Sequence, residues 1–264
     1  MSRPIGVFDS GVGGLTVLSA LRHRFPSEDF VYLGDTARLP YGTKSATTVQ
    51  RYAINAAAHL EGHEIKLLVV ACNTASSYAL DALASSASIP VVGVVEPGVR
   101  AAIATGSSRI GVIGTEGTIR SGAYQRALSD RAAAVEVKAM ACPLLVPLAE
   151  EGWGDHPITD QVASTYLAPL LEWRVETVIL GCTHYPLLRP SLQRVVGEDV
   201  RLVDSASAVA DMVGVDHHGL VSPDERQGAV RIELTDASDR FLRITRAILG
   251  RDPEELEVVD IDQA

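Results

Sequence analysis

Eight short aliphatic runs, separated by stretches of helix length, constrain this chain more than any other feature. IGVF (5–8), FVYLG (30–34), LLVVA (67–71), PVVGVV (90–95), RIGVIG (109–114), VEVKAM (135–140), TVILG (177–181) and VRLVD (200–204) read as strands. Most are continuous Val, Ile and Leu without polar alternation. A strand of that kind is covered on both faces, which implies a parallel sheet flanked by helices. The helix-length segments lie at 15–25, 45–61, 74–86, 97–105, 118–129, 158–173 and 187–196. Strand–helix alternation of this type predicts a doubly wound α/β fold.

The runs also repeat. RPIGVFDSGVGGL (3–15) echoes SRIGVIGTEGTI (108–119), FVYLGD lines up with VEVKAM, and PVVGVVEP with VRLVDSAS. Cys72 and Cys182 fall in register, so four successive strands match in order at an offset of roughly 105–110 residues. The expected architecture is two pseudo-symmetric doubly wound parallel-sheet domains with a cleft between them. The first comprises 1–96 plus 208–264 and carries Cys72; the second comprises 97–207 and carries Cys182. In the remainder, 217–228 is turn-rich, while AVRIEL (229–234) and LEVVDI (256–261) read as strands. Between them, Asp236 or Ser238 could cap a helix through RFLRITRAIL that Gly250 ends. This tail is expected to pack on the first lobe, because alone it would bury too little surface.

Ligands of open parallel sheets bind at the carboxyl ends of the strands. Cys72, in LLVVACNTASS, and Cys182, in TVILGCTHYPLL, both occupy such ends, as do Asp9, Ser10, Asp35 and Thr115. Each cysteine is followed by hydroxyl or amide residues of the kind that start helices. A free thiol has a pKa near ~8.5, and a helix N-terminus with polar donors can bring it toward neutrality, making a nucleophile or a base. Buried cysteine is common in cores, but two at equivalent strand ends point to a pair of opposed acid/base groups. Cys142, in AMACPLLVPL, lacks the polar followers and reads as structural. His184 could lower the Cys182 pKa, protonate a substrate amine, or simply satisfy backbone groups.

Other residues leave alternatives open. DSGVGG (9–14) has neither the GxGxxG spacing nor the Lys-Ser/Thr ending of a nucleotide loop. Asp9 and Ser10 could face a small polar ligand, or Asp9 could cap a helix. The LPYGTKS loop (39–45) could offer the Tyr41 hydroxyl and the Gly42 amide to a carboxylate beside Pro40, or be an ordinary turn. Thr115 and Thr118 could bind a carboxylate or cap a helix. Glu150 and Glu151 alone would be a solvated helix face. His59 and His63 have i, i+4 spacing, but the intervening Glu is not placed as in HExxH and no third ligand stands out. No metal site is expected there or at His217-His218.

The bulk composition excludes several classes. At 47% hydrophobic and 21% charged residues the chain is globular, and no apolar run reaches the ~18 residues of a membrane span. The N-terminus leads straight into IGVFDSG, so no signal peptide is expected. Three cysteines, none in CxxC spacing, fit a reduced, cytoplasmic protein. A net charge of -10 argues against nucleic acid as a partner.

Taken in order, FDSGVGGLTV, GDTARLPYG, ACNTAS and GCTHYPLL resemble the glutamate racemases, a branch of the aspartate/glutamate racemase superfamily. The resemblance covers nearly the whole chain. It implies two pseudo-symmetric α/β domains, the first completed by the C-terminal segment. It implies a homodimer acting on L- and D-glutamate, without cofactor, to supply D-glutamate for peptidoglycan. It makes Cys72 and Cys182 the catalytic acid/bases, acting on the D and L enantiomers respectively, with Asp9, His184 and Glu150 as auxiliary groups. Asp9-Ser10, Pro40-Tyr41-Gly42, Asn73-Thr74, Thr115, Thr118 and Thr183-His184 correspond to the substrate-binding positions. The only lysines, Lys44, Lys66 and Lys138, sit at no matching strand end, so no Schiff base is expected. An aspartate racemase is the neighbouring alternative, whereas a decarboxylase would need only one of the two thiols. Some family members are reported to restrain DNA gyrase; the acidic charge makes that at most a side activity here.

Overall fold

The computed structural model describes residues 3–220, 226–250, 253 and 255–261. Its strands are β1 (Ile5–Asp9), β2 (Phe30–Gly34), β3 (Leu67–Val70), β4 (Val91–Gly93), β5 (Arg109–Gly114), β6 (Glu136–Ala141), β7 (Thr177–Gly181), β8 (Arg201–Asp204), β9 (Val230–Leu234) and β10 (Glu255–Val258). The helices are α1 (Leu15–Arg24), α2 (Ala46–Glu61), α3 (Asn73–Ser86), α4 (Val95–Ile103), α5 (Glu116–Ser121), α6 (Ala123–Arg131), α7 (Leu145–Glu150), α8 (Pro157–Glu172), α9 (Arg189–Val196), α10 (Ser205–Asp216) and α11 (Asp239–Leu249). Among the described residues no helix is long and apolar enough to cross a membrane.

The strands form two sheets in which every pairing is parallel. The first runs β10-β9-β2-β1-β3-β4 and the second β6-β5-β7-β8. The order β2-β1-β3-β4 is repeated in β6-β5-β7-β8, so the echo in the sequence is a repeat of topology. Successive residues feed opposite faces: Ile5 and Val7 pack with Leu15, Leu18 and Leu21 of α1, whereas Phe8, Leu68 and Val70 pack with Val49, Ala53 and Leu60 of α2. The second sheet is covered likewise by α8 and α9 on one face and by α4 and α6 on the other. Burying each such aliphatic side chain stabilises the fold by roughly 1.5–3 kcal/mol.

The C-terminal strands extend the first sheet, β9 pairing with β2 and β10 with β9. Of the two possible caps for α11, Ser238 is used: its Oγ accepts the Phe241 N–H. Gly250, at φ +69°, ends the helix, as a left-handed terminal glycine should. The positions 96/97 and 207/208 lie inside α4 and α10. These two helices pack against each other, α4 belonging to the core of the second sheet and α10 to that of the first.

Three local expectations change. Residues 118–129 do not form one helix: Gly122, at φ +70°, separates α5 from α6. The helices α7 and α10 lie where no helix was expected, one short and containing Pro147, the other built mostly of small residues (SASAVADMVGVD). Finally, His59 and His63 do have a third neighbour. Glu233 of β9 lies against both, although 174 and 170 residues away in sequence.

Candidate active site

In both sheets the chain order reverses between the first and third strands of the repeat, which opens a crevice at their carboxyl ends. Ser10 follows β1 and Cys72 follows β3; Thr115 follows β5 and Cys182 follows β7. The two crevices meet in one cavity of about 420 Å³, lined by both thiols together with Ser10, Asn73, Thr74, Thr115, Thr183 and His184. That size suits a small ligand.

Within DSGVGG, Gly13 allows the two halves to approach. A Cβ on Gly13 would sit 2.5 Å from both His184 Nδ1 and Thr183 Oγ1. Thr16 Oγ1 donates across the same seam to the Thr183 carbonyl at 3.2 Å. A second seam joins Thr74 of α3 to Thr115 and Thr118 of the other half. Their hydroxyls lie 2.9 and 3.3 Å from Thr74 Oγ1, and Thr115 also caps α5.

The thiols are not equivalent. Cys72 is the N-cap of α3: its sulfur accepts the Ala75 N–H at 3.5 Å and lies 3.4 Å from Ser10 Oγ. Cys182 opens only a short 3-10 turn, Tyr185–Leu188, because Pro186 and Pro190 delay the helix to Arg189. The expectation that a helix start would bring the thiol pKa down fails at Cys72. Burial and the neighbouring Asp9 charge push it up to about 12, against the Ser10 and Ala75 hydrogen bonds. Cys142 is fully buried outside the cavity, and burial raises its thiol likewise to about 12.

Around Cys182 the charges form a chain. His184 Nδ1 lies 3.8 Å from Cys182 Sγ, and its Nε2 lies 3.4 Å from Glu150 Oε1, an ion-pair contact without hydrogen-bond alignment. Burial favours the neutral ring, but Cys182 and Glu150 outweigh it and hold the imidazole pKa up at about 10. Burial would also raise Glu150, yet His184 and Arg240 keep its carboxyl below the usual range. Arg240 Nη2 bridges Glu150 at 3.0 Å and Glu151 at 3.1 Å. Glu150 therefore faces the site, while Glu151, 53% exposed, faces outward.

Several sequence-derived positions sit otherwise than expected. Asp9 is fully buried behind Ser10 rather than on the cavity wall. Its Oδ2 accepts the Gly11 N–H, and burial raises its pKa against the charge of His184. Thr118 is buried behind Thr115. The Tyr41 hydroxyl is not offered to a ligand, since it donates to the buried carboxylate of Asp35; Pro40, Tyr41 and Gly42 still line the cavity. Asp35 accordingly serves Tyr41, Arg38 and Thr235 and not the site. Asn73 Nδ2 donates inward to Tyr124 and Ser205, leaving its Oδ1 without a partner among the described residues. The sequence reading missed Arg240 and Phe241 of α11, Val146 of α7, and Pro143 and Pro147, which also line the cavity. Arg240, Phe241, Val146 and Pro147 lie away from the strand ends, and Pro143, two residues past β6, carries no polar side chain to draw notice.

The Asp/Glu/Hydantoin racemase family model matches residues 16–213. A glutamate racemase from Geobacter metallireducens is 53% identical over 251 residues, 94% of this chain and 93% of that protein. Among solved structures, a glutamate racemase isoform from Bacillus anthracis superposes with a TM-score of 0.93 at 39% identity, covering 97% of both chains. The glutamate racemase from Francisella tularensis in complex with D-glutamate superposes with a TM-score of 0.92 at 35% identity, covering 100% of this chain and 99% of that one.

Proposed function

This chain belongs to the Asp/Glu/hydantoin racemase family, and from that premise we propose that it interconverts L- and D-glutamate by proton transfer between two thiols. It is a glutamate racemase, an isomerase supplying D-glutamate for peptidoglycan. The observation that carries the mechanism is the placement of Cys72 and Cys182 at equivalent strand ends on the wall of one cavity.

Inversion at Cα removes a proton from one face and returns one to the other. With L-glutamate, the Cys182 sulfur takes the proton and the Cys72 thiol donates; with D-glutamate the roles exchange. A thiol held up at about 12 is protonated at neutral pH, so Cys72 rests as the proton donor. His184 is the partner of Cys182, and Glu150 keeps the imidazole charged. Asp9 acts on Cys72 through its charge, making that thiolate a stronger base once formed.

Carbanion character at Cα must be stabilised by groups already in place, each tenfold in rate requiring ~1.4 kcal/mol. Ser10, Thr74 and Thr183 have hydroxyls suited to the α-carboxylate. The unpaired Asn73 Oδ1 suits the ammonium, whose retained proton helps stabilise the carbanion. The Gly42 amide and Thr115 suit the distal carboxylate. We also infer, on the family resemblance, a cytoplasmic homodimer; light scattering in solution tests the dimer.

The chemistry is tested in deuterated water with L-glutamate or L-aspartate and no pyridoxal phosphate, following optical rotation and deuterium at Cα. Glutamate alone should racemise, and both Cys72→Ser and Cys182→Ser should abolish turnover. Full activity in either variant would overturn the two-base mechanism, and conversion of aspartate would overturn the substrate.

A further inference from the structure

We propose that His59, His63 and Glu233 form a binding site for a divalent transition-metal ion of zinc type, separate from the active site. Glu233 is only 2% exposed, on the face of β9 that looks toward α2. A carboxylate removed from water costs several kcal/mol unless paired. Among the described residues its partners are two imidazoles and no lysine or arginine. His59 Nε2 lies 2.7 Å from Oε2, and His63 Nε2 lies 3.1 Å from Oε1.

Two imidazole nitrogens and a carboxylate oxygen are a zinc donor set, bound at roughly 2.0–2.2 Å, which in a tetrahedron puts ligand atoms about 3.3 Å apart. One atom from each residue lies within 4.8 Å of the other two. The cluster therefore needs only small side-chain adjustment to take an ion. The mixed nitrogen–oxygen set favours zinc-like ions over magnesium, which prefers oxygen donors.

Two features of the fold support a cation here. His59 lies in the last turn of α2 and His63 just beyond it, where the helix dipole favours positive charge. The histidine side chains are 20% and 24% exposed, so an ion and a fourth, water ligand have access. Cys72, Cys182 and His184 are elsewhere. The loop lining the cavity leads into the N-terminus of α2, and His59 lies about 20 Å along the helix from there, at 1.5 Å per residue. The ion would therefore clamp the C-terminal segment onto α2, stabilising the folded chain without entering the reaction.

The test uses chelator-treated full-length protein, titrated with zinc chloride by calorimetry and melted with and without zinc. The Cys72→Ser/Cys182→Ser variant is run in parallel so that the active-site thiols cannot bind the ion. Both should take up one zinc per chain at this site and melt at higher temperature with zinc but not with magnesium. His59→Gln/His63→Gln should lose this uptake and the shift while still racemising glutamate, which shows that it folds. Glu233→Gln should weaken binding at least tenfold. Absence of zinc uptake in the thiol-free variant, or uptake unchanged by His59→Gln/His63→Gln, would overturn the site.

Discussion

At the residue scale, the proposed chemistry rests on the asymmetry between the two thiols. His184 touches the Cys182 sulfur and is held charged, whereas Cys72 has Ser10 beside it and Asp9 behind it. His184→Asn should therefore lower kcat for L-glutamate by about 10²–10⁴-fold, the usual worth of a positioned acid/base, and affect the D-glutamate direction less. Steady-state kinetics in both directions check this: kcat/KM must fall equally, because the equilibrium constant between enantiomers is one, so the asymmetry is read in kcat and KM separately, and an equal loss of kcat in the two directions would refute the assignment. The same histidine sets a pH dependence of stability. Its folded pKa is near 10 and the ordinary imidazole value 6.5, so its stabilisation is complete below about pH 6.5 and vanishes as pH rises through 10. The melting-temperature gap between wild type and His184→Asn should shrink over that window. The sequence revealed both cysteines because each ends an aliphatic run. It could not reveal that Tyr41 spends its hydroxyl on Asp35, or that Arg240 reaches Glu150, because both depend on where separate elements meet.

At the element scale, the strand-to-helix turns do the positioning, and their glycines record how closely the halves approach. Gly13 is the sharpest case, since a Cβ there would collide with both Thr183 and His184. Gly13→Ala must displace the imidazole or part the seam. Overpacking typically costs 1–3 kcal/mol of stability, but a displacement of about 1 Å in a reacting group can cost 10²-fold in rate. The variant should thus fold, with a modest fall in melting temperature, and lose at least tenfold in kcat. A normal kcat would show that the seam is looser than its geometry. The elements themselves were largely legible: FVYLG, RIGVIG and TVILG carry the residues of β2, β5 and β7 without adjustment. What escaped was α7, too short and proline-bearing for periodicity to register, and α10, whose small apolar residues give no clear face.

At the scale of the whole molecule, four strands and their helices occur twice, and the C-terminal segment makes the two halves unlike. Both readings came from the sequence, the repeat from strands in register and the tail from its isolation as too small to fold alone. Its consequences are seen only in three dimensions. The strand β9 covers the edge of β2, and α11 brings Arg240 and Phe241 to the cavity. Ending the chain after Gln227 would remove Val230, Ile232, Leu234 and Ile244, all buried in the core shared with Tyr32 and α1. At roughly 1.5–3 kcal/mol each, those four amount to about 6–12 kcal/mol, comparable to the 5–15 kcal/mol by which a typical protein is stable. The shortened chain would also expose β2 as an unpaired apolar edge prone to association. It should therefore show no cooperative thermal transition by calorimetry and aggregate at concentrations where the full chain stays dispersed. A cooperative melt with measurable racemisation would mean instead that the four-strand repeat is self-sufficient and the tail an accessory, reversing the order of dependence that the packing implies.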